Sequence, residues 1–336
     1  MRTLKNLQVL LKSRPQGAPE ASDFEIVESE VPSPGENELL VQTKYLSLDP
    51  YMRGRMSDRD SYADPIELGA VMVGATVGQV EQSNHPDFAK GDFVLSYGGW
   101  QTYAIAPAKT ARKITPDSSI PLSYYLGILG MPGQTAYCAL LDIGQPKPGE
   151  TVVVSAASGA VGSVVGQIAK LKGARAVGIV GSDEKCDYIV KSLGYDEAIN
   201  RKTDSLPAAL KAACPEGIDV YYDNTAGPIL EAVLQLINLG ARIPLVGLIS
   251  QYNATEMPPG PNLMPLLIKR ALIKGFLVGD YSAQYETFLK EVSQWIKAGQ
   301  LQYKEDVVQG LENAPEAFIG QLQGENFGKL VVQVSQ

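Results

Sequence analysis

The chain is expected to be an α/β protein in which a β-rich domain is interrupted in sequence by a domain built on a doubly wound parallel sheet. Three observations predict this. Residues 151–172, TVVVSAASGAVGSVVGQIAKLK, pass from a β-branched apolar run through a glycine turn into apolar residues at helical spacing. Strand and helix patterns then alternate as far as Trp295, the order that builds a parallel sheet with helices on both faces. On either side of that stretch the patterning is of short strands broken by proline and glycine.

In order, LQVLLK and FEIVESEVP read as short amphipathic strands, and ELLVQTKYLSL alternates as a half-buried antiparallel strand does. Asp49 followed by Pro50 reads as a helix start, an N-cap oxygen and then proline at the first helical position, with Arg53 paired inside that helix. From about residue 123 the style changes. The strand near 151 and the helix ending at Lys172 are followed by a strand at 176–180, a helix at 184–192 and a strand at 218–222. A helix opened by Pro228, a strand at 242–247, a helix at 262–270 and a strand at 273–278 complete the alternation. Beyond Trp295, LQYKEDVVQG and GKLVVQV are strands around a helix over 314–322, so the end of the chain is expected to rejoin the first domain. The expected division is 1–122 with 296–336, and 123–295.

The glycine turn carries the first functional signal. Gly159 would let the backbone approach a phosphate and Gly162 would let the helix pack closely, while the helix N-terminus favours an anion. Counting back, the first glycine of G-x-G-x-x-G falls on Ala157, so the motif is met only as A-x-G-x-x-G. The strand before it and the helix and strand after it favour a dinucleotide site over an ordinary βα turn.

Composition excludes several classes. The 336 residues are 45% hydrophobic and 20% charged, an ordinary globular balance with length for two domains. A formal charge of −8 argues against a nucleic-acid partner, which calls for a basic surface. No stretch is long and apolar enough to span a bilayer, and MRTLKNLQVLLKSRPQG lacks the apolar core of a signal peptide. Cys138, Cys186 and Cys214 are too few and scattered for a disulfide framework, which suits a reducing cytoplasm. They have no C-x-x-C spacing, and the one histidine, His85, sits in a polar turn before Pro86, so no metal is expected.

Several motifs narrow the reading further. YLSLDPYMRGRM (45–56), GMPGQTAYCALLDIG (130–144), AASGAVGSVVGQIAKLKG, GSDEK (181–185), YYDNTAG, GLISQYN (247–253) and GENFGK (324–329) occur in this order along nearly the whole chain. Together they resemble the zinc-independent branch of the medium-chain dehydrogenase/reductase superfamily that holds 2-alkenal, prostaglandin and curcumin reductases. The resemblance implies a GroES-like β-rich domain, a Rossmann domain, NADPH as cofactor and a cytoplasmic homodimer joined through the nucleotide domains. It also implies cofactor contacts at Gly159, Ala160, Val161, Gly162, Asn224, Leu248, Ser250, Tyr252, Phe276, Leu277, Val278 and Asn326.

For cofactor choice, the acid that NAD-binding sheets place about 20 residues past the glycines is replaced by Gly181-Ser182. In the resembling family the lysine of GSDEK, Lys185, reaches the 2′-phosphate. Arg201 stands where that family commonly has tyrosine, and its planar fork is the better anion binder.

A chain without zinc is poorly equipped to stabilise the alkoxide of direct carbonyl reduction. Hydride addition to the β-carbon of an enone gives a delocalised enolate instead, which a hydrogen-bond donor can hold. Tyr252 lies beyond the 242–247 strand, at a carboxyl end of the sheet, and a phenol of pKa about 10 is neutral at pH 7. It is the candidate donor, with the nicotinamide ribose hydroxyl or water as the alternative. Tyr51, Tyr62 and Tyr281, beside Tyr252, are candidate walls for a small conjugated carbonyl substrate. A quinone oxidoreductase of the same fold and a non-catalytic NADPH-binding protein are the two other readings open at this point.

Overall fold

The computed structural model describes residues 4–335. The chain divides into two compact units: Met1–Gly127 with Glu305–Asn326 and Leu330–Gln336, and Ile128–Lys304 with Phe327–Lys329.

The β-rich unit holds β1 (Lys5–Leu11), β2 (Phe24–Glu30), β3 (Glu38–Ser47), α1 (Met52–Arg55), β4 (Thr76–Ser83), β5 (Phe93–Ser96), β6 (Tyr103–Pro107) and β7 (Arg112–Ile114). β1 and β2 pair antiparallel in register from Lys5 opposite Glu30 to Leu11 opposite Phe24. A larger sheet runs through β3, β4, β5 and β7, with β6 also pairing with β3. Its core gathers Val9, Leu48, Met52, Met56, Trp100 and Phe318, with Trp100 stacked on Phe24 at 5.7 Å between centroids.

Two local expectations fail in this unit. α1 opens at Met52 with Tyr51 in the capping position, and no side chain caps it. The Asp49 carboxylate is occupied by the Ser47 hydroxyl, while Asp49 serves the turn through its carbonyl, which accepts from Met52 N at 3.1 Å. Arg53 does not pair within its helix: its guanidinium donates to the Gly17 and Pro15 carbonyls. The four-residue helix, MRGR, carries no carboxylate of its own, and the buried guanidinium turns to carbonyls of the neighbouring loop.

The second unit holds α2 (Met131–Cys138), β8 (Thr151–Ser155), α3 (Gly162–Leu171), β9 (Arg175–Val180), α4 (Asp183–Lys191), β10 (Glu197–Asn200), α5 (Leu206–Ala213) and β11 (Ile218–Tyr222). It continues with α6 (Gly227–Leu234), β12 (Ile237–Leu245), α7 (Met264–Lys269), β13 (Leu272–Gly275) and α8 (Tyr285–Lys297). The six strands form one parallel sheet in the order β10, β9, β8, β11, β12, β13. β8 is fully buried, as its Val152, Val153 and Val154 require, and it lies at the point where the strand order reverses. α2, β10, α5 and α8 have no counterpart in the sequence reading. The strand placed at 273–278 ends at Gly275, where the chain turns into helical turns over Val278–Gln284.

In the last stretch of chain, β14 (Glu305–Gln309), α9 (Ala314–Gln323) and β15 (Lys329–Gln333) complete the fold, and β14 and β15 extend the larger β-rich sheet beside β3. Among the described residues no helix is long and apolar enough to cross a membrane.

Candidate functional site

The carboxyl ends of the parallel strands gather nearly all the residues expected to hold a cofactor. β8 ends at Ser155, and the turn that follows takes its left-handed residue at Ala156, with φ of 50°, not at the position that lacks the motif's first glycine. Ala157 is buried, and its methyl would lie 2.8 Å from a Cβ placed on Gly178, so the turn is packed tightly against β9. A Cβ on Gly159 would meet only the Ala156 carbonyl, at 3.3 Å, which leaves that face of the turn open. A Cβ on Gly162 would lie 2.4 Å from the same carbonyl, so here the glycine is needed for packing. α3 starts at Gly162 with Val161 in the capping position and no side-chain cap, leaving its first N–H groups suited to an anion.

The second strand end provides the charge. Ser182 caps α4, its hydroxyl accepting from Lys185 N at 3.3 Å, which sets Lys185 in the first helical turn. Arg201 and Lys202 follow β10, and both come within 4.0 Å of a Cβ built on Gly181. Lys202 is a third cation that the sequence reading missed. Its signal was the pair Arg201-Lys202, read only through Arg201.

At the third strand end Asp223 is buried and organises the loop after β11. Its Oδ1 accepts from Tyr221 OH at 2.9 Å, Thr225 N at 2.9 Å and Ala226 N at 2.7 Å. Burial raises its pKa, only partly offset by those donors. Asn224 is held by its own N–H to Ser155 Oγ and by its side-chain nitrogen to the Ser155 carbonyl, at 2.9 and 2.7 Å. Ser250 Oγ donates to the Thr225 carbonyl at 2.6 Å, tying the loop after β12 to this one.

Tyr252 closes a short helical turn over Ile249–Gln251, and its phenol oxygen accepts from Leu248 N at 3.5 Å. Phe276 is buried, with its ring 4.7 Å from that of Tyr281. Tyr281 donates to Asp142 Oδ2 at 2.6 Å, and burial together with that bond pushes its phenol up to about 12. Asn326 directly precedes the segment Phe327–Lys329, in which Gly328 bridges to Gly159.

Among the described residues no three His, Cys, Asp or Glu side chains converge to hold a metal ion. His85 lies in a turn where its Nδ1 accepts from Asp87 N at 3.3 Å.

Residues 7–114 match the family described as the N-terminal domain of oxidoreductase, and residues 160–294 the family described as zinc-binding dehydrogenase. The NADPH-dependent curcumin reductase of Escherichia coli is 51% identical, over 98% of this chain and 97% of its own. The chain belongs to the medium-chain dehydrogenase/reductase superfamily. Within it, the NADP-dependent 2-alkenal reductase of Nicotiana tabacum is 47% identical, over 99% of this chain and 98% of its own. CurA from Vibrio vulnificus, solved in complex with NADPH, superposes with a TM-score of 0.94 at 52% identity, over 98% of this chain and 99% of its own. The motif resemblance to the alkenal and curcumin reductase branch of this dehydrogenase/reductase superfamily is thereby borne out.

In the β-rich unit of this dehydrogenase/reductase chain, Tyr51 has Tyr62, Tyr97 and Asp49 around it. Burial raises its pKa, and the charge of Asp49 adds to this. Tyr62 and Tyr97 are exposed. Tyr97 was missed because it stands alone between Ser96 and Gly98, with no pattern to mark it.

Proposed function

We propose that the chain is an NADPH-dependent reductase of the α,β carbon–carbon double bond of enones and enals. The observation that carries the reading is the pairing of an open glycine turn below an uncapped helix with Lys185, Arg201 and Lys202 at the next strand ends. That arrangement suits a pyrophosphate and a 2′-phosphate respectively. Relatives named for NADPH-dependent curcumin reduction and NADP-dependent 2-alkenal reduction match along nearly the whole chain, which supports the same chemistry here.

When bound, NADPH supplies the hydride. Gly159, Ala160, Val161 and Gly162 seat the pyrophosphate, and Asn224, Leu248, Ser250, Phe276, Leu277, Val278 and Asn326 line the rest of the cofactor. Tyr252 would hold the oxygen of the substrate enolate through its phenolic O–H and pass it that proton, the enol so formed rearranging to the saturated carbonyl compound while solvent returns a proton to the phenol. Tyr51 and Tyr62, joined by Tyr97, offer an aromatic surface to the substrate. Tyr281 has a smaller part, since its hydroxyl is committed to Asp142.

The working form is a homodimer joined through the parallel-sheet unit. β13 ends the sheet, all four of its residues are exposed, and Leu263, Met264, Leu267 and Ile268 on and before α7 are exposed as well. An open strand edge flanked by apolar side chains is suited to a second copy. All three cysteines are free thiols, in keeping with a reducing cytoplasm.

The test is NADPH oxidation followed at 340 nm with a linear enal, a cyclic enone, a dienone and a quinone, and mass spectrometry of the products. A product two mass units heavier that keeps its carbonyl is expected. Hydroquinone alone, or no turnover across the panel, would overturn the reading.

A further inference from the structure

We propose that Asn200 is a positioning residue for coenzyme choice, holding the Asp183 carboxylate with one end of its amide and the turn bearing Arg201 and Lys202 with the other. The proposal rests on the NADPH reading. Asp183 is the first residue of α4, two positions beyond Gly181, in the stretch where NAD-binding sheets use an acid to hold a ribose 2′-hydroxyl. A carboxylate free to swing there would favour the hydroxyl and repel a 2′-phosphate.

Asn200 removes that freedom. Its Nδ2 donates to Asp183 Oδ1 at 2.7 Å, and its Oδ1 accepts from Lys202 N at 3.1 Å. Its carbonyl accepts from Thr203 N at 3.2 Å and Asp204 N at 2.9 Å, while its own N–H donates to Asp204 Oδ2 at 2.9 Å. The residue itself is buried at 5% exposure and bonded at both ends of its amide, which fixes the amide in one orientation while its partners reach the surface. Two of the nearby acids, Asp183 and Asp204, are thus tied to Asn200, while Arg201 and Lys202 are set beside Gly181. The neighbouring thiol senses those acids: burial, then the charges of Asp183, Asp204 and Asp187, push Cys186 up to about 11. An aspartate at position 200 could not donate to Asp183, so the amide is the part that matters.

The experiment is calorimetric titration of the full chain with 2′,5′-ADP and with 5′-AMP, two fragments that report binding without any reductase chemistry. Wild type is expected to prefer 2′,5′-ADP. Asn200→Ala should weaken 2′,5′-ADP about tenfold, or about 1.4 kcal/mol, and 5′-AMP less than about twofold. Asn200→Asp should weaken 2′,5′-ADP further, and adding Asp183→Asn to Asn200→Ala should restore part of the loss.

Equal loss of both fragments in Asn200→Ala, or no loss of either, would overturn the proposal. Asp183→Ala, at a residue on the unit's surface, serves as a second check that does not depend on the fold tolerating a change at Asn200. Its 2′,5′-ADP affinity should stay within about twofold of wild type if the carboxylate is already held away, and a large gain would show that it is not. A wild-type chain that holds both fragments alike would overturn the NADPH reading itself, and the proposal with it. Failure of the enone assay alone would leave these titrations, and the role of Asn200, standing.

Discussion

The two glycines of the phosphate turn should respond oppositely to one added methyl. In Gly162→Ala the new Cβ would sit 2.4 Å from the Ala156 carbonyl oxygen and 2.7 Å from the Ala157 Cα, about 1 Å inside the 3.4 Å at which ordinary contact begins. Both obstacles are backbone, in a turn where Ala156 already holds φ of 50°. α3 cannot simply retreat: Tyr195 OH donates to the Gly162 carbonyl at 2.6 Å, and a Cβ on Gly166 would lie 1.9 Å from that same ring. The turn itself must deform, at an overpacking cost of about 2 kcal/mol, or about 4–8 °C in melting temperature. In Gly159→Ala the new methyl meets only one carbonyl, at 3.3 Å, so stability should change little. That methyl occupies the turn's open face, however, and NADPH binding should weaken strongly. Thermal melts and fluorescence titration with NADPH separate the two effects. Equal melting of Gly162→Ala and wild type, or undiminished NADPH binding by Gly159→Ala, would refute the reasoning.

Tyr252→Phe should lower kcat by about 10²-fold or more while leaving the KM for NADPH nearly unchanged, as steady-state kinetics would show; unaltered turnover would hand the proton to the ribose hydroxyl or to water. Ile273→Lys, on exposed β13, should shift the chain from dimer to monomer in sedimentation velocity, because it sets a charge on the proposed joining edge. Glu150 is pulled up by burial, but the Arg242 fork, at 2.5 Å in its shorter contact, and the Lys147 N–H outweigh that and hold it below the usual carboxylate range. A carboxyl lowered by folding stabilises fully above its unfolded pKa, and the contribution is lost as the pH falls through the folded value. Urea midpoints of wild type and Glu150→Gln should therefore differ at pH 7 and draw together only as the pH falls below the usual carboxylate range.

The alternating domain was legible because its central strands, β8, β9 and β11, are buried almost throughout and read as apolar runs, Val152–Val154 above all. β10 and α5 were not, and the burial pattern says why. β10 is a four-residue edge strand, EAIN, of which only Ile199 and Asn200 are buried, and α5 buries only Leu210 and Ala213. Elements that bury so little leave little hydrophobic signal to read. The misplaced start of α1 has a different cause. Asp49 and Pro50 have the residue types of a helix start, but Ser47, two residues earlier, takes the carboxylate first. Residue types alone do not show which of two local partners wins.

The site shows the same division between residue type and geometry. The cations Lys185 and Arg201 were singled out through the motifs that carry the resemblance, GSDEK and the N-R-K-T run, whereas the residues that aim them are uncharged or lie in ordinary turns. Asn200 appears in sequence only as the residue before Arg201. Asp223 reads as a plain turn residue in YYDNTAG, yet its one oxygen gathers Tyr221, Thr225 and Ala226 and so shapes the backbone that presents Asn224. Ala226 sits at φ of 56°, a conformation costly for any side chain, and its N–H bond to Asp223 at 2.7 Å helps hold it there. A buried carboxyl used in this way need carry no charge for the chemistry, and burial indeed raises its pKa. What this sheet end requires of Asp223 is acceptor geometry. The reading of cofactor contacts through Asn224 therefore depends on a neighbour whose importance only the folded loop reveals.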